Sequence, residues 1–252
     1  MTSSLLARAL KRAARLAPGP IVAAVDELRP GLAQGLGGPF NGQERRVEAV
    51  RNMFEAVPFV VVVETGTFRG TTTLFLRELT SAPIATVEIS ARYYHYSRRR
   101  LSQARDISVI RGTSPAAIRM MSGDAKWNRS PAFFYLDAHW LADLPLVAEL
   151  TEIARAWRDY AVLIDDFRVP DDPGYAYDDY GVGKVLEPAL LASLAQSSLS
   201  VFWPGAHSGA ETGARRGWVV LATGGPTTDA LVGVPGLRLA GTLSDVVNGA
   251  NR

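Results

Sequence analysis

Two groups of residues in this sequence have types and spacing suited to chemistry. The first begins at Glu64-Thr65-Gly66-Thr67-Phe68-Arg69-Gly70-Thr71-Thr72-Thr73, directly after the apolar run Phe59–Val63, and continues at Glu88, which closes the next apolar run. Gly66 lets the backbone turn tightly and approach a ligand. Gly70 lets a helix start against the strand. Free N–H groups in such a loop, with threonine hydroxyls, suit a carboxylate. The glycines follow neither the dinucleotide G-x-G-x-x-G pattern nor the P-loop, which needs a lysine missing here. Glu64 beside an anion site would repel a pyrophosphate, but it suits a ligand carrying both a carboxylate and an ammonium. Glu88, at the end of its strand, can accept both hydrogen bonds of a ribose diol. The plainer reading of the loop is an ordinary strand-to-helix turn.

The second group is Tyr135-Leu136-Asp137-Ala138-His139-Trp140 with Leu163-Ile164-Asp165-Asp166-Phe167, each closing an apolar run. Both ends are expected to face one crevice, so Asp137, Asp165 and Asp166 would converge. Three buried carboxylates repel unless something positive lies between them. A hard divalent cation, Mg²⁺ or a relative, answers that need with oxygen ligands and open water positions. His139 is the nearest group able to take a proton near neutrality. The plainer readings are helix capping and turn formation for the aspartates, and a loop hydrogen bond for His139.

Positioning these groups requires an α/β fold. Strands are expected at Phe59–Val63, Ile84–Glu88, Ile107–Arg111, Ala132–Leu136, Ala161–Ile164, Leu199–Trp203 and Trp218–Ala222. Helices are expected at Leu74–Leu79, Ala91–Ala104, near Pro115–Met121, at Pro145–Arg158 and at Lys184–Ala195. Fully apolar strands alternating with helices indicate a parallel sheet covered on both faces. The last two strands lack a crossover helix and read as a hairpin, which makes one strand antiparallel. The expected organisation is a helical appendage over 1–45, the main domain over 46–223 and a small tail over 224–252.

On these residues the chain resembles the class I S-adenosylmethionine (SAM)-dependent methyltransferases. Glu64 to Thr73 looks like their motif I, and Glu88 like their ribose-binding acid. The resemblance implies a Rossmann-like sandwich with a seven-stranded, mostly parallel sheet. It implies that Glu64, Gly66, Thr67, Phe68, Gly70 and Thr72 hold the amino-acid end of SAM. Glu88 would hold the ribose, Ser114 would lie near the adenine amine, and Asp137 would border the cofactor. The spacing of Asp137 from Asp165-Asp166 is similar to the cation-dependent O-methyltransferases of the catechol and macrolide-sugar types. There, the corresponding residues hold the metal, which lowers the pKa of an acceptor hydroxyl and aligns it for attack on the methyl group. Where the catechol type has a lysine base, this chain has Trp140, so His139 with Asp137 is the expected catalytic pair. The acceptor is expected to be a small hydroxylated molecule, a sugar or another natural product.

The rest of the sequence excludes more than it assigns. With 252 residues, 47% of them hydrophobic, it can bury one large core, and with no cysteine it has no disulfide, thiolate metal site or cysteine nucleophile. A net charge of +2 calls for no anionic partner, and no apolar run reaches membrane-span length. Within residues 2–17, Leu5, Leu6, Ala9, Leu10, Ala13 and Leu16 share one helical face, opposite Arg8, Lys11, Arg12 and Arg15. That helix suits packing on the domain or on a second copy. A membrane surface or a transit peptide are the sharper alternatives. A cytoplasmic location is expected. The segment Arg92 to Arg100, with Tyr93, Tyr94 and Tyr96, could meet nucleic acid, but a solvated arginine face is the plainer account and no nucleic-acid partner is expected. Tyr175, Tyr177 and Tyr180 could stack on an acceptor, His207 and Glu211 could close its pocket, and Gly38 to Gln43 could fold over the cofactor. The competing functional classes are a non-catalytic module that keeps the fold, and a methyltransferase acting on nucleic acid or protein.

Overall fold

The computed structural model describes residues 19–27, 37–139, 144–195 and 198–250. The amphipathic segment over 2–17 and Trp140 lie outside these residues. Eight strands form one sheet: β1 Val61–Thr65, β2 Ile84–Glu88, β3 Ile107–Arg111, β4 Ala132–Leu136, β5 Tyr160–Ile164, β6 Leu199–Pro204, β7 Val219–Thr223 and β8 Leu237–Thr242. Their order is β3-β2-β1-β4-β5-β7-β6-β8. Strands β1 to β5 run parallel to one another, whereas β7, β6 and β8 are each antiparallel to the preceding strand in that order. The direction of winding reverses between β1 and β4, and the crevice at their carboxyl ends is where open α/β sheets bind ligands.

The helices are α1 Gly19–Glu27, α2 Glu44–Ala56, α3 Thr71–Leu79, α4 Ala91–Arg100, α5 Ser114–Ser122, α6 Leu146–Ala156, α7 Pro226–Leu231 and α8 Leu243–Ala250. Successive strand residues point to opposite faces, so the central strands feed two cores. On one face Val61, Val63, Phe134 and Val162 pack with Ile118, Met121, Leu150, Ile153 and Val247. On the other, Val62, Phe133, Ala161 and Leu163 pack with Val50, Met53, Leu76 and Leu231. Tyr135 belongs to the second layer.

Two expectations change. The sheet has eight strands instead of seven, because residues expected as a tail supply β8, paired to β6 with Trp203 opposite Arg238 and Pro204 opposite Leu237. β8 is a half-exposed edge strand, so it lacks the continuous apolar run that marked the others. The helix expected over Lys184–Ala195 is a 3-10 helix over Pro188–Leu194. Glu187 is held extended at φ −145, ψ 168, as a residue before proline must be.

Candidate active site

The glycine loop is built to hug the neighbouring strand. Gly66 has φ +86, and a Cβ there would lie 2.3 Å from the Asp137 carbonyl oxygen, so only glycine fits. Gly70, at φ +72, precedes α3 and faces Leu101. The amides of Gly66 and Thr67 donate to the Val87 carbonyl at 3.0 and 3.1 Å, and that of Phe68 donates to Glu88 Oε2 at 2.8 Å. The loop's opening N–H groups are thus used internally. Any carboxylate site is left to the first turn of α3, whose amides have no intrahelical acceptor.

The side chains divide in the same way. Glu88 accepts from Phe68 and, at 2.7 Å, from the Ser90 amide, and burial raises its pKa. Glu64 is only 1% exposed, and its Oε2 accepts from the hydroxyls of Thr73 and, at 2.6 Å, Thr86. Burial pushes Glu64 up to about 7, opposed by those two threonines and assisted by Glu88. Thr67 turns inward, 2.6 Å from the Thr86 hydroxyl, and so does not present its hydroxyl to the crevice. Thr72 Oγ1 accepts from the Phe40 amide at 3.4 Å, which seats the segment before α2 on the loop's helix. Ser114 starts α5 beyond β3 and is buried. Arg100 ties the loop from outside, donating to the Arg69 carbonyl at 2.7 Å and to Thr71 Oγ1 at 2.9 Å. Arg92 forms a two-pronged pair with Asp26 of α1. These two arginines of the basic segment are therefore structural.

The three aspartates lie within electrostatic reach of one another, and their partners differ. Asp165 and Asp166 follow β5, Asp166 at φ +53 with its amide donating to Asp165 Oδ1 at 2.7 Å. Asp165 is fully buried against Arg46 of α2, whose Nη1 lies 2.6 Å from Oδ1, and it accepts from the Tyr135 hydroxyl at 2.6 Å. Burial pushes Asp165 upward, but Arg46 and the Tyr135 bond outweigh it and hold the carboxyl below its usual range. The positive charge that the buried acids demand is, for Asp165, supplied by the chain itself. Arg46 is caged by Phe40, Tyr135 and Trp218, with ring centroids 4.8, 5.7 and 5.9 Å from Cζ. Sequence reasoning missed this arginine, although a signal existed. Arg46 shares the buried face of α2 with Ala49, Val50 and Met53, where a charge is out of place unless paired.

A second arginine was also missed. Arg216, in the loop before β7, pairs through Nε with Asp166 and through Nη2 with Asp178. Its backbone is clamped by Gln43, whose amide accepts from the Arg216 N–H at 2.8 Å and donates to its carbonyl at 2.9 Å. A cleft of about 480 Å³, lined by Gly37, Asn41, Gly42, Gly213, Ala214 and Arg216, opens at this junction. Burial raises Asp166 to about 7, with Asp165 adding to the rise and Arg216 opposing it. Asp137 is pushed well above its usual range, by burial first and then by Asp165 and Asp166. The Tyr135 hydroxyl lies 3.1 Å from Asp137 Oδ2 and links it to Asp165.

What does come together is Asp137, His139 and Asp166, each offering one donor atom within 4.8 Å of the others. His139 is 4% exposed, and burial lowers its pKa. Among the described residues neither ring nitrogen has a hydrogen bond of full geometry, and the Asp165 backbone lies beside the ring. Two carboxylates and an unpartnered imidazole are a donor set that fits a divalent cation. The loop after β5 is fastened rather than open. Tyr175 is buried and donates to the Ala206 carbonyl at 3.0 Å, and Tyr177 stacks on Arg168. Tyr180 donates to Asp178 and approaches the His139 carbonyl at 3.5 Å. His207 pairs with Asp172, and Glu211 accepts from the Arg45 and Arg46 amides at the start of α2.

No family model matches the chain, and no curated protein matches it. Solved structures do. The O-methyltransferase TomG from Streptomyces achromogenes, involved in tomaymycin synthesis and in complex with SAM, is 14% identical; the match covers 72% of this chain and 79% of that one, with a TM-score of 0.50. An O-methyltransferase from Bacillus cereus in complex with SAH is 15% identical, with 81% and 88% covered and a TM-score of 0.51. Cofactor-bound Rv0187 from MTB is 15% identical, with 82% and 97% covered and a TM-score of 0.51. The chain has the Rossmann-like methyltransferase fold. In this methyltransferase fold the glycine loop and the Asp137 turn stand on either side of the crevice between β1 and β4. Among the described residues no helix is long and apolar enough to cross a membrane.

Proposed function

We propose that the protein is a SAM-dependent methyltransferase that methylates a hydroxyl oxygen of a small acceptor, a sugar or another natural product, with the help of a divalent cation. One observation carries this reading. Gly66 of the glycine loop sits directly on the backbone of Asp137, so the loop and the acids share one crevice. When bound, SAM supplies an electrophilic methyl group, and the cation supplies a Lewis acid that lowers the pKa of the acceptor hydroxyl.

The chain's own residues do the rest. Glu88 holds the ribose diol with the lone pairs left over from Phe68 and Ser90. The first turn of α3, with Thr72, receives the carboxylate, and Ser114 lies toward the adenine. Glu64 fixes the loop from beneath through Thr73 and Thr86, and its negative charge favours the ammonium. Asp137 and Asp166 hold the cation and thereby place the acceptor oxygen. Phe40, seated on α3 and Tyr135, limits water on the α2 side. Positioning of this kind is worth several orders of magnitude in rate.

Calorimetry with SAH tests the cofactor half. The parent should bind, and Gly66→Ala should lose binding by at least tenfold, since its methyl collides with the Asp137 carbonyl. A parent that ignores SAH would sink the reading. A SAM-dependent screen of hydroxylated sugars and phenols tests the metal half. Turnover that persists undiminished in excess EDTA would remove the cation from the proposal.

A further inference from the structure

We propose that His139 is a metal ligand rather than the proton acceptor, and that the site formed with Asp137 and Asp166 prefers Fe²⁺, Co²⁺ or Zn²⁺ over Mg²⁺. This rests on the divalent-cation reading above and names the class of ion. Three observations carry it. First, one donor atom from each of Asp137, His139 and Asp166 lies within 4.8 Å of the other two. Second, both ring nitrogens of His139 are buried, and among the described residues no side chain bonds either of them, the Asp165 backbone alone lying beside the ring. A buried polar atom left without a partner is costly, and a coordinated ion would offset that cost. A histidine base is normally oriented by a hydrogen bond to its far nitrogen, and among the described residues no carboxylate or hydroxyl does that here. The Asp165 backbone beside the ring can supply the one outer contact that a metal-bound imidazole uses.

Third, the formal charges match. Arg46 cancels Asp165, removing it from the ligand set. Asp137, Asp166 and Asp178 against Arg216 leave two negative charges, the complement of one divalent ion. An oxygen-only set suits Mg²⁺, whereas an imidazole nitrogen shifts preference toward the borderline first-row ions.

The test uses the full chain, stripped with EDTA, saturated with SAH and titrated with Co²⁺ and with Mg²⁺. One Co²⁺ should bind with a visible ligand-field band, at least tenfold more tightly than Mg²⁺. His139→Ala should lose Co²⁺ affinity by well over about 100-fold, beyond the roughly 10–100-fold cost of an outer-shell change. Its Mg²⁺ affinity should change little, so the preference collapses while SAH binding and circular dichroism are retained. Unchanged Co²⁺ affinity and spectrum in His139→Ala would overturn the proposal. X-ray absorption of the Co²⁺-loaded parent reads the ligands without any variant, and an oxygen-only shell would also overturn it. Failure of the parent to bind SAH, or full turnover in EDTA, would instead sink the reading beneath it and is distinguishable from either result.

Discussion

The two ends of the crevice hold their buried acids by different means. At the β1–β2 end, Glu64 and Glu88 are met by neutral donors: two threonine hydroxyls for one, two backbone amides for the other. At the β4–β5 end, Asp165 is met by Arg46, and Asp166 with Asp178 by Arg216. The consequences follow from the size of the desolvation cost. Neutral hydrogen bonds offset only part of the penalty for burying a carboxylate, so both glutamates stay raised. A guanidinium in contact outweighs that penalty at Asp165. The first end therefore keeps an appetite for a positive group, which suits an ammonium-bearing ligand. The second end has satisfied part of its charge internally, and only Asp137 and part of the Asp166 cluster remain for something else.

The largest expected effect tests the arginine end. Arg46→Met leaves Asp165 buried without its cation and should cost about 3–5 kcal/mol in urea unfolding. Adding Asp165→Leu should restore most of that loss. A single variant within 1 kcal/mol of the parent would erase the contrast between the two ends. Next is the neutral-donor end. Glu64 is raised from its ordinary 4.5 to about 7, so the folded state binds its proton more tightly than the unfolded state does. Its contribution to stability is full below about 4.5, declines as pH rises to about 7, and is absent above. The difference in stability between parent and Glu64→Gln should shift by about 3 kcal/mol across that window. A flat difference would mean that Thr73 and Thr86 compensate the charge fully. The smallest effect concerns Glu211, an acid at the arginine end that is held by backbone amides alone. Glu211→Ala should cost about 1 kcal/mol, as loss of a helix cap does. A loss as large as that of Arg46→Met would show that the cap, and not the ion pair, anchors α2.

Much of the first end was legible because it is local. Gly66, Gly70 and Glu64 lie in one continuous segment, and Glu88 ends the next strand, so spacing alone placed them together. The strands β1, β2, β4 and β5 were legible for the same reason: each is a short, largely apolar run buried on both faces. The second end was legible in its acids but not in its partners. Arginine is common on helices, and only the register of α2 distinguishes buried Arg46 from exposed Arg45 beside it. Arg216 sits among glycines in a loop, where neither period nor spacing points inward. Strand β8 was illegible because an exposed edge needs no apolar run.

The Arg46–Asp165 pair also bears on the order in which the molecule can be made. Its partners are 119 positions apart, and Asp166 waits another 50 positions for Arg216. As the chain leaves the ribosome, the glycine loop and its two glutamates can settle once β2 has emerged. Arg46 must stay solvated until β5 is complete, since burying it alone would cost several kcal/mol. Domains acquire long-range contacts only after the intervening chain is available. The acid end of the crevice thus closes later than the glutamate end, and a product truncated before residue 216 would carry the cofactor loop beside acids that lack Arg216.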